Sequence, residues 1–216
     1  MFVRTLLSVA VTAFVLGICA GRWDWVRGWA TVALYGLVQL GAIRAVERAQ
    51  PGLMARRTRM GTGTRTWDRV LVTAYLLAVY AVFVVGALAV RHHGEDLPAW
   101  TWPVGATLYL VGIGIGIRAM AANRHFESMV RLQADHAVVD RGPYAVVRHP
   151  GYAGGLLALP GFPVLLGASA AYGPALVVLV LALGRTAAEE RFRRGHLPGY
   201  ADYAARVPWR LVPGVW

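Results

Sequence analysis

From Gly151 to Gly184 the chain reads GYAGGLLALPGFPVLLGASAAYGPALVVLVLALG, 34 residues without a charge. As a single helix it would be about 51 Å long, at ~1.5 Å per residue. One bilayer crossing needs roughly 20 apolar residues, so the stretch is too long for one crossing and slightly short for two. Pro160, Pro163, Gly167, Gly173 and Pro174 interrupt it near its middle. The reading is a hairpin of two short helices, the second running on past the membrane surface through Arg194.

Four more uncharged apolar runs precede it: 5–21, 28–43, 70–90 and 98–117. Trp23, Trp25 and Trp29 flank the second, and Trp100 and Trp102 open the fourth, as interfacial anchors do. The first run follows Arg4 and has the outline of a signal segment. Ile18 stands before Cys19 where a lipoprotein site needs a small residue, and further spans follow, so an uncleaved helix is expected. The fold class is therefore an all-α integral membrane protein, a bundle of five to six transmembrane helices.

Composition agrees. Of 216 residues, 57% are hydrophobic and only 15% charged, against about 25% charged in soluble domains, and mean hydropathy is +0.49. This excludes a disordered chain and disfavours a soluble enzyme. The lone Cys19 excludes an internal disulfide and a cysteine-based zinc site. The formal charge is +11, and all 22 basic residues are arginine. On a soluble chain that balance would suggest nucleic acid; on an apolar one it reads as arginine gathered on the cytoplasmic side.

The arginines alternate. Arg44, Arg48, Arg56, Arg57, Arg59, Arg65 and Arg69 follow the second run, and Arg118, Arg124, Arg131, Arg141 and Arg148 follow the fourth. Six more lie from Arg185 onward. The stretches 22–27 and 91–98 hold two and one. The expected topology has both termini in the cytoplasm, in six crossings, with five as the rival count. The Arg56-Arg57-Thr58-Arg59 cluster is read as meeting anionic headgroups.

Chemistry concentrates in two segments on that side. The first runs from Gly142-Pro143-Tyr144 through Val146-Val147 to Arg148-His149-Pro150-Gly151-Tyr152. Gly-Pro makes a turn, Val-Val is read as extended, and Pro150 suits the first turn of a helix. Arg148, His149 and Tyr152 thus gather at a helix start, where free N–H groups favour an anion. The plain alternative is that Arg148 snorkels to headgroups and the tyrosines anchor the interface. The second segment begins Arg185-Thr186-Ala187-Ala188-Glu189-Glu190. Arg185–Glu189, Glu189–Arg193 and Glu190–Arg194 share helix faces. A solvated, salt-bridged helix is the plain reading for Glu189, yet two carboxylates just past a span are costly and tend to be functional.

These residues resemble the isoprenylcysteine carboxyl methyltransferase family, relatives of the phospholipid methyltransferases, in its bacterial form. The resemblance rests on Gly142-Pro143-Tyr144, Arg148-His149-Pro150, Tyr152, Arg185, Glu189-Glu190, Tyr200, Tyr203 and Arg206-Val207-Pro208. Asn123, Phe126, Ser128, Gln133, His136 and Val138 fit as well. It covers residues 123–216, a methyltransferase-like region after N-terminal transmembrane helices in 1–122. At Arg191-Phe192-Arg193-Arg194-Gly195-His196 the chain departs from the family's more apolar run. The resemblance implies a membrane enzyme using S-adenosylmethionine, with a cytoplasmic cofactor site formed by the last inter-helix connection and the C-terminal tail. A lipophilic or lipidated acceptor would enter from the bilayer, most simply in a bacterial inner membrane.

On that reading Glu190, and next Glu189, would meet the donor's amino group. Tyr144, Arg148, His149, Pro150 and Tyr152 would line the cofactor, and His136 and Val138 would offer backbone to adenine. Arg206 or Arg210 would clamp an acceptor carboxylate. For a thiol or amine acceptor, His149 would be the base. Rival functions are a nicotinamide-dependent membrane reductase and a non-enzymatic membrane subunit. Gly112-Ile113-Gly114-Ile115-Gly116 has the wrong spacing for a nucleotide loop and reads as helix packing. His92-His93 with Glu95 and Asp96 is at most a minority metal site.

Overall fold

The computed structural model describes residues 2–57, 65–130 and 135–216. Thr58, Arg59, Arg131 and Gln133 lie outside the described residues. Helices α1 (Phe2–Ala20), α2 (Val26–Ala49), α3 (Leu53–Arg57), α4 (Thr66–His93) and α5 (Trp102–Ala122) come first. After an irregular connection follow α6 (Pro150–Ala158), α7 (Gly161–Leu166), α8 (Tyr172–His196) and α9 (Tyr200–Arg206). No strand occurs among the described residues. Four helical stretches are long and apolar enough to cross a membrane, namely Val26–Ala49, Thr66–His93, Ala99–Ala122 and Ser169–His196. Thr5–Ala20 and Pro150–Leu166 are shorter apolar helices. The chain is an integral membrane protein.

The hairpin forms with unequal arms. Its first arm breaks at Leu159-Pro160 into α6 and α7, and ends where Gly167 adopts a left-handed conformation (φ 75°). The second arm is not short, as α8 runs for 25 residues to His196. Gly173 and Pro174 fall in its first turn, where the missing N–H of proline costs nothing, so they do not break it.

Lipid does not drive helices together by burial, so close packing relies on small residues. α5 meets α6 and α7 on them. A Cβ on Gly112 would lie 2.4 Å from the carbonyl oxygen of Gly154 and 2.7 Å from the amide nitrogen of Ala158. A Cβ on Gly161 would lie 2.7 Å from the oxygen of Gly105. The packing reading of the glycine run therefore holds at Gly112, whereas a Cβ on Gly114 or Gly116 would meet nothing within 4 Å.

The arginine-poor end is fastened by one buried arginine. Arg27 donates to the carbonyls of Leu97 (2.7 Å), Val164 and Leu165 (3.3 Å), and to Thr101 Oγ1 (3.0 Å). It also pairs with Glu95 at 3.3 Å, and Asp96 accepts from Ser169. Glu95 thus joins the tie between α2, α7 and the start of α5, and Asp96 holds the turn that leads into α8. The opposite end carries α3, the connection before α6, the end of α8 and the tail.

Candidate functional site

The connection before α6 and the C-terminal tail meet directly. The amide of Arg148 donates to the carbonyl of Trp209, and that of His149 to Arg210, each at 2.9 Å. Pro150 starts α6, as expected. Gly142–Ala145 is a 3₁₀ turn, and Val146 continues it in a turn conformation (φ −102°, ψ −50°) rather than extending.

Glu190 is the hub of this joint and is 1% exposed. Its carboxylate accepts from Arg148 (2.9 Å), His149 Nε2 (2.9 Å), Tyr200 Oη (2.8 Å) and Arg194 (2.9 Å). Arg148 also donates to the carbonyl of Val207. With its lone pairs committed to structure, Glu190 has little left for a ligand, and Arg148 is equally engaged.

Glu189 faces the other way. Successive helical residues are about 100° apart, and this turn carries Glu189 to the wall of a cavity of about 310 Å³. It is 7% exposed, not the solvated residue of the plain reading. Tyr152 Oη donates to it at 2.9 Å, and Arg193 pairs with it one turn on. Tyr144, His149, Pro150, Tyr152, Glu189 and Arg193 all line this cavity. His149 stands edge-on to Tyr152, with ring centroids 5.9 Å apart.

A clasp not foreseen in the sequence closes the cavity over its connection side. Asp68, at the start of α4 and fully buried, accepts from Arg185 Nε (2.8 Å) and from the amide of Val130 (2.6 Å). Arg185 donates in turn to the carbonyl of Ser128 (2.6 Å). This brings Phe126, Glu127 and Ser128 to the cavity wall. An acid beside Trp67 at the head of an apolar run was the available signal, but in the sequence it reads as a loop charge.

Arg57 also departs from expectation. Its guanidinium lies over the ring of Phe126, 4.7 Å from the centroid, and lines the cavity instead of reaching headgroups. Burial lowers its pKa from the usual arginine value. It also lines a second cavity of about 360 Å³, walled mainly by apolar residues of α2, α5 and α6. Phe126 and Gly151 are shared by both cavities as well.

Other expected residues lie elsewhere. His136 stacks on His125 at 4.6 Å beside the main cavity. Burial lowers its pKa to about 4. Val138 packs against the Tyr144, Tyr200 and Tyr203 cluster. Arg206 and Arg210 are not brought to either cavity. Arg206 projects from α9 to an exposed pair with Asp140 (3.0 Å). Arg210 lies over the ring of Trp216, because the tail curls so that the amides of Arg210, Leu211 and Val212 all bond to the carbonyl of Trp216.

A cobalt-zinc-cadmium resistance protein, CzcN of Cupriavidus metallidurans, is 29% identical to the chain over 133 residues. The match spans 60% of this chain and 59% of that protein, less than two thirds of its length. The segment from α5 to the Glu189-bearing turn of α8 also matches a described family. Residues 107–192 match the model of the isoprenylcysteine carboxyl methyltransferase family.

Proposed function

We propose that this protein is a membrane methyltransferase that takes S-adenosylmethionine in the 310 Å³ cavity and a lipophilic acceptor through the adjoining apolar one. The observation that carries the reading is the convergence of Tyr144, His149, Tyr152 and Glu189 on one cavity. The residues suit the donor. Glu189 offers a carboxylate to an ammonium group, and Tyr144, Tyr152 and Phe126 offer ring faces to a sulfonium. The volume lies at the lower end of the roughly 300–1,000 Å³ of small-molecule sites. When bound, S-adenosylmethionine would supply an electrophilic methyl group.

What the chain must do is position and exclude water. The Glu190 hub fixes His149 and the start of α6, and the Asp68–Arg185 clasp fixes the connection above. The second cavity meets the first at Phe126, Gly151 and Arg57, a route from an apolar volume to a polar one. A carboxylate acceptor needs no general base. A thiol or amine acceptor does, and His149, held through Nε2 against Glu190 and lining the cavity, is the candidate base. By the arginine asymmetry the site faces the cytoplasm of an inner membrane.

The test is ligand stabilisation of the purified protein. S-adenosylhomocysteine should raise the unfolding temperature in a concentration-dependent way, and reduced nicotinamide dinucleotides should not. No shift with S-adenosylhomocysteine would overturn the reading, and a shift with the nicotinamide alone would favour a reductase.

A further inference from the structure

Three arginines line the 310 Å³ cavity, Arg57, Arg185 and Arg193. Arg185 is paired with Asp68 and Arg193 with Glu189. Arg57 differs. Among the described residues its Nη1 is buried and has no hydrogen-bond partner, although Glu127 and Arg185 act on it electrostatically. A buried guanidinium nitrogen left without an acceptor costs free energy that a bound anion would recover. Its place is equally distinctive: Arg57 is the charged residue that lines both cavities, with Phe126 holding it from one face.

We propose that Arg57 is a specificity-determining residue that binds the anionic head of an amphiphile whose apolar tail lies in the 360 Å³ cavity. The inference rests on the methyltransferase reading for the identity of the neighbouring ligand, but the anion preference itself does not. The fork of a guanidinium suits a carboxylate or phosphate. Gln39 and Thr5 are the other polar residues of the apolar cavity, and neither supplies a cation, so a head group that needs one must reach the junction. Arg57 lies outside residues 107–192, and so this selectivity would be supplied by the N-terminal half of the chain rather than by the matched region.

The experiment measures equilibrium binding of hexadecanoate and hexadecanol to the full chain in neutral-lipid nanodiscs, at alkaline pH, with acetate as a competitor. The wild type should prefer hexadecanoate by roughly tenfold to hundredfold, the scale of one charged hydrogen-bonded contact. Arg57→Gln should lose that preference by a larger factor than any loss of S-adenosylhomocysteine affinity, and the S-adenosylhomocysteine binding that remains reports that the variant is folded. Arg57→Lys should keep part of the preference. An unchanged preference in Arg57→Gln overturns the proposal. So does a loss of S-adenosylhomocysteine affinity that matches the loss for hexadecanoate, which would assign Arg57 to the donor's carboxylate. Acetate competing as well as hexadecanoate would overturn the amphiphile. If the wild type shows the preference but does not bind S-adenosylhomocysteine, the anion site stands and the methyltransferase reading falls.

Discussion

Glu190 accepts from Arg148, His149, Tyr200 and Arg194, and only Arg194 among these is well exposed. Replacing the carboxylate by an amide leaves the Arg148 charge buried without compensation. Glu190→Gln should therefore cost about 3–5 kcal/mol of stability, the scale for breaking a buried pair from one side, read as a fall in unfolding temperature. Glu189→Gln should behave differently. It should weaken S-adenosylhomocysteine binding by about 1.5–3 kcal/mol in calorimetry, with a smaller loss of stability, since Tyr152 can still donate to the amide oxygen. Equal effects of the two variants on binding and stability would remove this division of labour. Adjacent carboxylates after a span were visible in the sequence. Which one faced the cavity was not, because it depends on the rotation of α8 against Arg148 and Tyr200, contacts from 42 residues before and 10 after. For the same reason Asp68 looked like a loop charge and Arg57 like a headgroup contact: their partners, Val130 and Phe126, are distant in the chain.

α5 and α6 set the floor of the site, since α6 carries Pro150, Gly151 and Tyr152 to the cavity wall. Their approach is limited by backbone rather than by pliable side chains. Gly112→Ala and Gly154→Ala should each force the helices apart, at about 1–3 kcal/mol for overpacking, and lower S-adenosylhomocysteine affinity by moving α6. Gly114→Ala, whose Cβ meets nothing, should be neutral or stabilise by about 0.5–1 kcal/mol through helix propensity. Indistinguishable unfolding temperatures for all three variants would show that the crossing is not tight. At this scale the sequence was largely legible. Uncharged runs located the long helices, and prolines located the break between α6 and α7. The far end of the long arm α8 was read nearly where it lies, at Arg194 against His196, but its start was missed because Gly173 and Pro174 suggest a break in any apolar run, and only a helix beginning at Tyr172 makes them harmless. The connection from Asn123 to His149 has no period to read. Its shape comes from Asp68, Arg185 and the tail.

The molecule is polarised from end to end. At one end Arg27 is consumed by carbonyls of two segments, at Leu97 and at Val164-Leu165, so it is a fastening and says little about orientation. At the other, Arg57, Arg185 and Arg193 line the site, and Arg44, Arg48, Arg56 and Arg118 are exposed. Discounting Arg27 sharpens the asymmetry from which the sequence indicates a cytoplasmic site. Single cysteines in a Cys19→Ser background test it. His93→Cys lies at the exposed end of α4 on the arginine-poor side, and Gly195→Cys lies near the end of α8, where a Cβ meets nothing. In intact cells an impermeant maleimide should label His93→Cys and leave Gly195→Cys unmodified until the membrane is opened. The reverse pattern would turn the protein over and place the site outside. Labelling of both in intact cells would mean that α4 and α8 do not set these ends on opposite sides, and the division of the molecule into a fastened end and a reactive end would fail with it.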